Sequence, residues 1–347
     1  MTKSEGRLVI VPAMTTEIPT ILPAAPAAKP AAIAEHDTIG PLAAPAPATT
    51  TRSYADGAAL RAVVLAAVHD ALEPARAARG RADAAPAAAV HEVRKAIRRT
   101  RAIVDLVGRA LPKGERKDIR DALVDARRSL GPARDLTVAS EALVLVATAP
   151  EVAPAAEAIV AAARADAPST QAVAADVQRA IDVALAQGDA IAAALPDQLA
   201  IRVLLRGLAE TYRRARRARR TSRRSDRGAH RWRRRSKELS YQLAVFAEVP
   251  AAAELRAALS TLDDQLGQVV DRLMLKDFVG LYGHAAAADA VGLLLGQVHD
   301  QLLERRDQTR RHSKELFAIR PRKLRRRLAR AMAPPPPEPA IGDGDAC

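Results

Sequence analysis

Residues Val90 to Leu111 read VHEVRKAIRRTRAIVDLVGRAL, and the fold class is inferred first from this stretch. At about 3.6 residues per turn it predicts a helix with an apolar side and a cationic side. The apolar side carries Val93, Ala96, Ile97, Val104 and Val107. The cationic stripe carries His91, Arg94, Lys95, Arg98 and Arg101. Like charges three and four residues apart destabilise a helix by ~0.2–0.5 kcal/mol per pair, so the stripe indicates a polyanionic partner.

A second stretch, residues 230–246, reads HRWRRRSKELSYQLAVF and repeats the offsets of the first. Its cationic positions are His230, Arg233, Arg234 and Lys237, and its apolar positions are Trp232, Leu239, Leu243 and Phe246, with Tyr241 near the core spacing. Each stretch is followed by Leu-Gly-x-x-x-Asp, as LGPARD ending at Asp135 and LGQVVD ending at Asp271. The copies differ, since Ser240 answers Arg101 and Val270 answers Arg134. This self-similarity predicts two copies of one helical unit.

The paired His-x-x-Arg-Lys/Arg-x-x-Arg/Lys helices, each followed by Leu-Gly-x-x-x-Asp, resemble the CHAD family over roughly residues 54–330. The resemblance implies an all-α fold: two pseudo-symmetric four-helix-type bundles form one domain, with a central basic cavity that binds inorganic polyphosphate. It also implies association with polyphosphate granules, where some family members are found. Some members carry a triphosphate-tunnel domain ahead of the CHAD part, but its Glu-x-Glu-x-Lys strand is absent from this N-terminal region.

The candidate polyphosphate-binding residues are cations on the two motif helices and on the helices beside them. They are His91, Arg94, Lys95, Arg98, Arg101, Arg127, Arg134, Arg206, Arg213, Arg217, His230, Arg233, Arg234 and Lys237. The resemblance places the helix from Ile201, with Arg206, Arg213 and Arg217, against the cavity. Asp135, Asp271 and Tyr241 are supporting candidates. Asp135 is expected to orient an arginine of the stripe, to cap a new helix over residues 135–147, or both.

Composition agrees with a helical protein that binds an anionic polymer. The formal net charge is +14, which indicates phosphate polymer, nucleic acid or an anionic surface without choosing among them. Hydrophobic residues make up 49% of the chain but aromatics only 2%, which suits closely packed, alanine-rich helices. The single cysteine, Cys347, provides neither a disulfide framework nor a zinc motif, and no run of about 18 apolar residues could cross a bilayer. We therefore expect a cytoplasmic protein without cofactor or metal.

The expected organisation follows the proline and charge pattern along the chain. Residues 1–53 and 332–347, rich in proline and alanine, are predicted to be disordered tails. The helical domain is expected over residues 54–331. Within it, repeat one covers about 54–148, connecting helices 149–200, repeat two 201–319, and a basic arm 320–331. The arm is basic enough to bind any anionic surface as an amphipathic helix.

Two further function classes stay open beside polyphosphate binding. Nucleic-acid binding would use the same phosphates, although the sequence shows no aromatic stacking platform and no recognised DNA or RNA motif. A structural protein of the granule surface would use the arm and the tails more than the cavity. An enzyme is not expected, because no paired-carboxylate metal motif, glycine-rich phosphate loop or nucleophile elbow occurs. Since bound phosphate raises a histidine pKa, binding through His91 and His230 should tighten as the pH falls. The sequence leaves the oligomeric state open.

Overall fold

The computed structural model describes residue 54, residues 56–147 and residues 149–332, except for the side chains of residues 132–134, 145 and 224. These residues form helices and no strand, which confirms the predicted all-α class. The helices are α1 (Gly57–Arg79), α2 (Pro86–Val107), α3 (Lys113–Ser129), α4 (Gly131–Val146), α5 (Ala153–Ala165), α6 (Thr170–Ala194), α7 (Ile201–Thr221), α8 (Asp226–Ala244), α9 (Pro250–Tyr282), α10 (Ala288–Leu316) and α11 (Pro321–Ala331). The first predicted tail, residues 1–53, and residues 333–347 of the second, predicted over residues 332–347, lie outside the described residues.

Local chemistry explains several helix starts. The carboxylate of Asp56 accepts a hydrogen bond from the Ala58 amide at 2.9 Å and caps α1. Ser169 caps α6 and Ser225 caps α8 in the same way, each through its side-chain oxygen. Helices α2, α4, α5, α9 and α11 instead begin with a proline in the first turn, where the missing amide proton removes no helical hydrogen bond.

Two groups of helices surround the main hydrophobic core. One group contains α1, α2, α3 and α6, which pack against one another. The other contains α7, α8, α9 and α11. The apolar residues predicted for the two motif helices are buried, including Val93 and Ile97 on α2 and Leu239 and Phe246 on α8. A separate apolar cluster joins α4 and α5 to the C-terminal part of α9 and to α10. Helix α6, expected to be a connection, is therefore a full member of the first group.

The second Leu-Gly-x-x-x-Asp motif does not end a helix. Helix α9 runs unbroken for 33 residues, with Gly267 buried inside it, whereas the first motif separates α3 from α4. The difference follows from one position, because Pro132 in the first motif has no amide proton and Gln268 in the second has one. The expected cap role of Asp135 was wrong, because Asp135 lies inside α4, which begins at Gly131. Asp271 lies inside α9. The pseudo-symmetry of the two repeats stays a prediction.

Helix α2 is held against both α7 and α8. Gly207 of α7 lies so close to α2 that a Cβ atom built on it would be 2.1 Å from the Leu106 carbonyl oxygen. No other residue fits this crossing. From α8, the buried Gln242 side chain donates through Nε2 to the Ala102 carbonyl oxygen at 2.9 Å. These contacts hold the cationic sides of α2 and α8 near each other.

The C-terminal basic arm is a packed helix. Leu324 and Leu328 of α11 are buried in the main core, and α11 contacts α7 and α9. The Tyr212 hydroxyl of α7 lies 3.1 Å from the carbonyl oxygens of both Leu316 and Ile319, just before α11. Because its apolar side is already covered, α11 offers an anionic surface only its basic side.

Candidate functional site

The cationic sides of α2 and α8 meet around a cavity of about 410 Å³, which we call the central cavity. Helix α3 closes one side, and Val270 and Met274 of α9 close another. The charged and polar lining residues are Arg94, Arg98, Arg101, Asp105, Arg120, Arg127, His230, Arg233, Arg234, Arg235, Lys237, Glu238 and Tyr241. Nine of these are arginine or lysine and two are carboxylates, so the lining carries a large excess of positive charge.

The two carboxylates are already engaged. Asp105 accepts a hydrogen bond from Arg120 at 2.5 Å. Glu238 accepts one from Arg235 at 2.5 Å and lies 3.9 Å from Arg214. Burial and the nearby Asp105 raise the pKa of Glu238, whereas Arg235 opposes that rise. The two acids therefore offset Arg120 and Arg235 and leave most of the remaining lining cations uncompensated by acids of the lining.

The arginines of the central cavity destabilise one another's protonated form. Burial lowers the pKa of Arg127, and Arg98 and Arg234 lower it further. Burial also lowers the pKa of Arg101, and Arg127 adds to that effect. Guanidinium pKa values are so high that these groups stay charged at neutral pH. Keeping these charged groups close together therefore lowers the stability of the folded protein, and an anion bound in the cavity would offset that loss.

Several guanidinium donors in this region lack acceptors. The Nε atoms of Arg101, Arg127 and Arg233 are buried and meet no hydrogen-bond acceptor among the described residues. A buried N–H without an acceptor costs about 1–3 kcal/mol, and more when the group is charged. Arg94 differs, because its Nη1 donates to the Arg127 carbonyl oxygen at 3.1 Å and so ties α2 to the end of α3. Arg101, Arg127 and Arg233 are thus the better candidates for anion contact.

The two motif histidines lie in different surroundings. His230 lines the central cavity, but His91 is not among its described lining residues. Partial burial lowers the pKa of His230, with Arg233 adding to that effect and Asp277 opposing it. The imidazole of His230 is therefore neutral at pH 7 in the free protein and can take up a proton when phosphate approaches.

A buried acid adjoins the cavity lining. Asp263 of α9 is only 1% exposed, and the Ser240 hydroxyl lies near its carboxylate. Burial raises its pKa to about 7, although the charges of Lys237 and Arg233 and the nearby Ser240 hydroxyl act to lower it. Lys237 is itself almost fully buried, at 4% exposed. The charge near these two cations therefore changes around neutral pH.

The other sequence candidates lie outside the central cavity. Lys95 interacts with Glu92 at 3.8 Å, and Arg217 is exposed on α7. Arg206 and Arg213 line a separate groove of about 680 Å³ between α7 and α11. We expected these α7 cations to face the central cavity, but Arg206 and Arg213 line the other groove. The packing of α7 explains this difference, because Gly207 faces α2 and Tyr212 faces the segment before α11.

The remaining candidates differ in how they contact the site. Tyr241 lines the central cavity, with the Arg99 guanidinium 5.8 Å from its ring centroid. Asp135 is exposed, and its charge raises the pKa of Arg127 on α3. Its orientation of an arginine of the stripe stays a prediction. Asp271 acts instead on Arg272, whose pKa it raises against the effect of burial. Arg134 belongs to α4, but its side chain lies outside the described residues.

Sequence reasoning missed four charged lining residues, namely Asp105, Arg120, Arg235 and Glu238. Asp105 continues the Arg94, Arg98 and Arg101 stripe at helical spacing, and that spacing could have identified it. Glu238 follows Arg235 by three residues and so resembles an ordinary surface pair. Arg120 comes from a different helix, and no pattern within α3 distinguishes it from its exposed neighbours.

The comparisons with known proteins agree with this architecture. The model of the CHAD domain family matches residues 63–280. A crystal structure of the CHAD domain from the plant Ricinus communis superposes with a TM-score of 0.57 at 21% identity, over 77% of this chain and 94% of that one. A search of curated proteins finds no match. Because the family model matches more than half of the sequence, the chain belongs to the CHAD domain family, a family of binding domains associated with polyphosphate.

Within the described residues, no helix is both long enough and apolar enough to span a bilayer. The same residues contain no group of three or more His, Cys, Asp or Glu side chains that could hold a metal ion.

Proposed function

We propose that this protein binds inorganic polyphosphate in the central cavity. The observation that carries the proposal is the lining itself, in which nine arginine or lysine side chains surround about 410 Å³ and meet only two carboxylates. Family membership supports the same ligand, because CHAD domains are associated with polyphosphate binding. Binding rather than turnover is proposed, and association with polyphosphate granules in the cytoplasm would follow from it.

The arrangement of the cations suits a linear chain of phosphates. Arg94 and Arg101 are about 10 Å apart along α2, at 1.5 Å per residue, with Arg98 between them. A row of this kind can follow a polymer that carries about one charge per unit. Guanidinium groups can bind phosphate oxygens in pairs, while Lys237 supplies a point charge. The buried Nε donors of Arg101, Arg127 and Arg233 would gain acceptors from such a ligand.

The lack of exposed aromatic rings at the cavity favours polyphosphate over nucleic acid. Proteins that bind single strands stack the bases on aromatic side chains, each worth about 1–3 kcal/mol. Tyr241 is the one aromatic residue among the described lining residues, and it is 7% exposed. Trp232 of the same helix is 2% exposed and packs in the main core. Nucleic acid could therefore use the charges of this cavity but would gain little from its bases.

The decisive experiment compares long-chain polyphosphate with single-stranded and duplex DNA at physiological salt, where nonspecific phosphate contacts are weak. Isothermal titration should show polyphosphate binding that persists while both DNAs dissociate. The cavity variant Arg101→Gln/Arg127→Gln/Arg234→Gln should weaken polyphosphate binding by about a hundredfold or more, since hydrogen bonds to charged groups are worth about 1.5–3 kcal/mol each. Its fold should survive, because these cations lower one another's pKa.

A matched control removes the same charge elsewhere. Arg81→Gln/Arg164→Gln/Arg330→Gln changes three exposed arginines that line none of the cavities described here. If the control variant loses as much affinity as the cavity variant, binding follows net charge and the proposed site is wrong. Equal retention of polyphosphate and DNA by the unchanged protein would likewise contradict a dedicated polyphosphate site. Release of orthophosphate during the titration would contradict binding without turnover.

A further inference from the structure

A small pocket with mainly apolar walls lies between α1, α2, α8 and α9, and we call it the apolar pocket. Its volume is about 90 Å³, and its walls include Val63, Ala67, Ile103 and Val245. Among the described residues, Tyr241 alone lines both this pocket and the central cavity. The two sites are therefore neighbours, but their linings differ in character.

Two arginines supply the positive charge of the apolar pocket, Arg99 from α2 and Arg256 from α9. Both are half-buried, and neither donates a hydrogen bond or forms an ion pair with the described residues. The Arg99 guanidinium lies 5.8 Å from the centroid of the Tyr241 ring. Burial lowers the pKa of Arg256, and the charge of Arg99 lowers it further. The pocket thus holds two neighbouring cations without an acidic partner in the described part of the chain.

Helix packing does not account for these two guanidinium groups. Arginines that hold helices together in this protein donate to backbone oxygens, as Arg61 of α1 does to Ala192 at 2.9 Å. Arg99 and Arg256 make no such bond with the described residues, and neither lines the central cavity. What the two arginines share is the apolar pocket, where both can donate to one anionic group.

An acid of the pocket lining limits the charge that a ligand can carry. Asp70 is exposed on α1 and lies 3.7 Å from His69. Its carboxylate would repel a second negative group on a ligand whose first is held by the arginines. The apolar walls act in the same direction, because a charged group buried without partners is unfavourable. The lining therefore favours an anion with one charged group and an apolar remainder.

We propose that the apolar pocket binds a small monocarboxylate whose apolar part has about three carbon atoms, as in butyrate. The carboxylate accepts hydrogen bonds from Arg99 and Arg256, and the alkyl chain covers the apolar walls. An apolar cavity of about 150 Å³ can hold benzene, so a pocket of about 90 Å³ takes a smaller group. This site is separate from the proposed polyphosphate site and does not rest on it.

The lining predicts a selectivity series among simple compounds. Each methylene that becomes buried should strengthen binding by about fourfold, so butyrate should bind about tenfold better than acetate. 1-Butanol has the alkyl chain without the charge and should bind more weakly than butyrate. Succinate has a second carboxylate, and inorganic phosphate has no apolar part, so both should also bind more weakly.

The first test removes the charge of the pocket in the full chain. Titrations with the five compounds at equal ionic strength, followed by ligand-observed NMR, give the affinities. The pocket variant Arg99→Gln/Arg256→Gln should bind butyrate about tenfold more weakly or worse, because it loses two charge-assisted contacts. Its matched control, Arg81→Gln/Arg164→Gln, removes two exposed charges that lie outside the pocket and should leave butyrate affinity unchanged.

The second test fills the pocket without changing its charge. Ala66 is exposed on α1 and lines the pocket, so Ala66→Leu should place new atoms where the alkyl chain lies. Butyrate affinity should fall by about fourfold or more, which corresponds to the loss of at least one buried methylene. Ala62→Leu makes the same change at an exposed α1 position outside the pocket and should have no effect.

The outcomes separate this inference from the proposed function. If the unchanged protein binds no butyrate, or binds 1-butanol or phosphate equally well, the monocarboxylate site is wrong. It is also wrong if the control variants lose as much butyrate affinity as the pocket variants. A loss of polyphosphate affinity in Arg99→Gln/Arg256→Gln as large as that in the cavity variant would assign these arginines to polyphosphate instead. If polyphosphate does not bind but the butyrate series holds, the proposed function fails and this inference stands.

Discussion

Replacement of Asp263 by asparagine should change how the stability of this protein depends on pH. Burial raises the pKa of Asp263 to about 7 from an ordinary value of 3.8. A rise of about three units corresponds to about 4 kcal/mol of free energy, which the native state loses when the carboxyl ionises. The side chain is 1% exposed, so water screens little of this effect. Asparagine has nearly the same shape and stays neutral, as the protonated acid does.

The direction of the effect follows from proton binding. Below about pH 4 the carboxyl is protonated in both the folded and the unfolded chain and contributes no difference. Between pH 4 and 7 the folded protein keeps the proton and the unfolded chain has lost it, so stability falls as the pH rises. Above the folded pKa of about 7 the full loss is present. The Asp263→Asn protein should therefore match the unchanged protein near pH 4 and exceed its stability at pH 8 by up to about 4 kcal/mol.

Urea unfolding followed by circular dichroism at pH 5, 6, 7 and 8 measures this difference directly. Comparing the two proteins at each pH cancels the titration of every other group. The Asp300→Asn protein is the control, because it makes the same chemical change at an exposed position of α10. A stability difference between the Asp263→Asn and unchanged proteins that is the same at every pH would refute the reasoning. So would an asparagine variant that is less stable than the unchanged protein at pH 8, since the carboxylate would then stabilise Lys237 and Arg233.

Three further results are expected. The His230 pKa is lowered in the free protein, and bound phosphate raises it. Polyphosphate affinity should therefore increase as the pH falls through neutrality, and His230→Gln should reduce that increase. An affinity that does not depend on pH would contradict this prediction. Gly207→Ala should destabilise the fold by about 1–3 kcal/mol or more in urea unfolding, because the added Cβ atom would meet the α2 backbone. The control Gly280→Ala has open space around it and should stabilise α9 by up to ~1 kcal/mol. Equal effects of the two substitutions would refute the close contact at Gly207. Long-chain polyphosphate at a hundredfold excess over its dissociation constant should raise the unfolding free energy by about 2.7 kcal/mol, and this gain should disappear in the cavity variant.

The sequence predicts this fold well where a single helix carries the signal. The buried sides of α2 and α8 were identified from spacing alone, because a period of 3.6 residues separates Val93 and Ile97 from the cations beside them. The all-α class and the family were predicted from the same two helices. The shared Leu-Gly-x-x-x-Asp motif did not give the same local structure twice, because the proline that interrupts the first copy is absent from the second, where α9 continues.

Predicting the site was harder, because its charges come from three helices. Arg94, Arg98 and Arg101 share one stripe and were therefore found, but Arg120 joins them only through the packing of α3. For α7, the charge pattern predicted cavity residues that lie elsewhere. Arg206 and Arg213 were expected in the cavity because they are cationic, but the contact of Gly207 with α2 determines which side of α7 faces inward. Such a rotation depends on side-chain volumes in both helices, and charge patterns do not contain that information.

Three acids in and behind the lining determine how much positive charge the central cavity carries before a ligand binds. Asp105 and Glu238 are paired with Arg120 and Arg235, whereas Asp263 lies behind the lining beside Lys237 and Arg233. Full neutralisation of the lining would remove its attraction for a polyanion. Because the pKa of Asp263 is about 7, its negative charge opposes that of Lys237 and Arg233 only in mildly alkaline solution, where it lowers the stability of the fold, and this negative charge is lost as the pH falls. Protonation of Asp263 and of His230 thus acts in the same direction, and both strengthen the positive potential of the central cavity in mildly acidic solution.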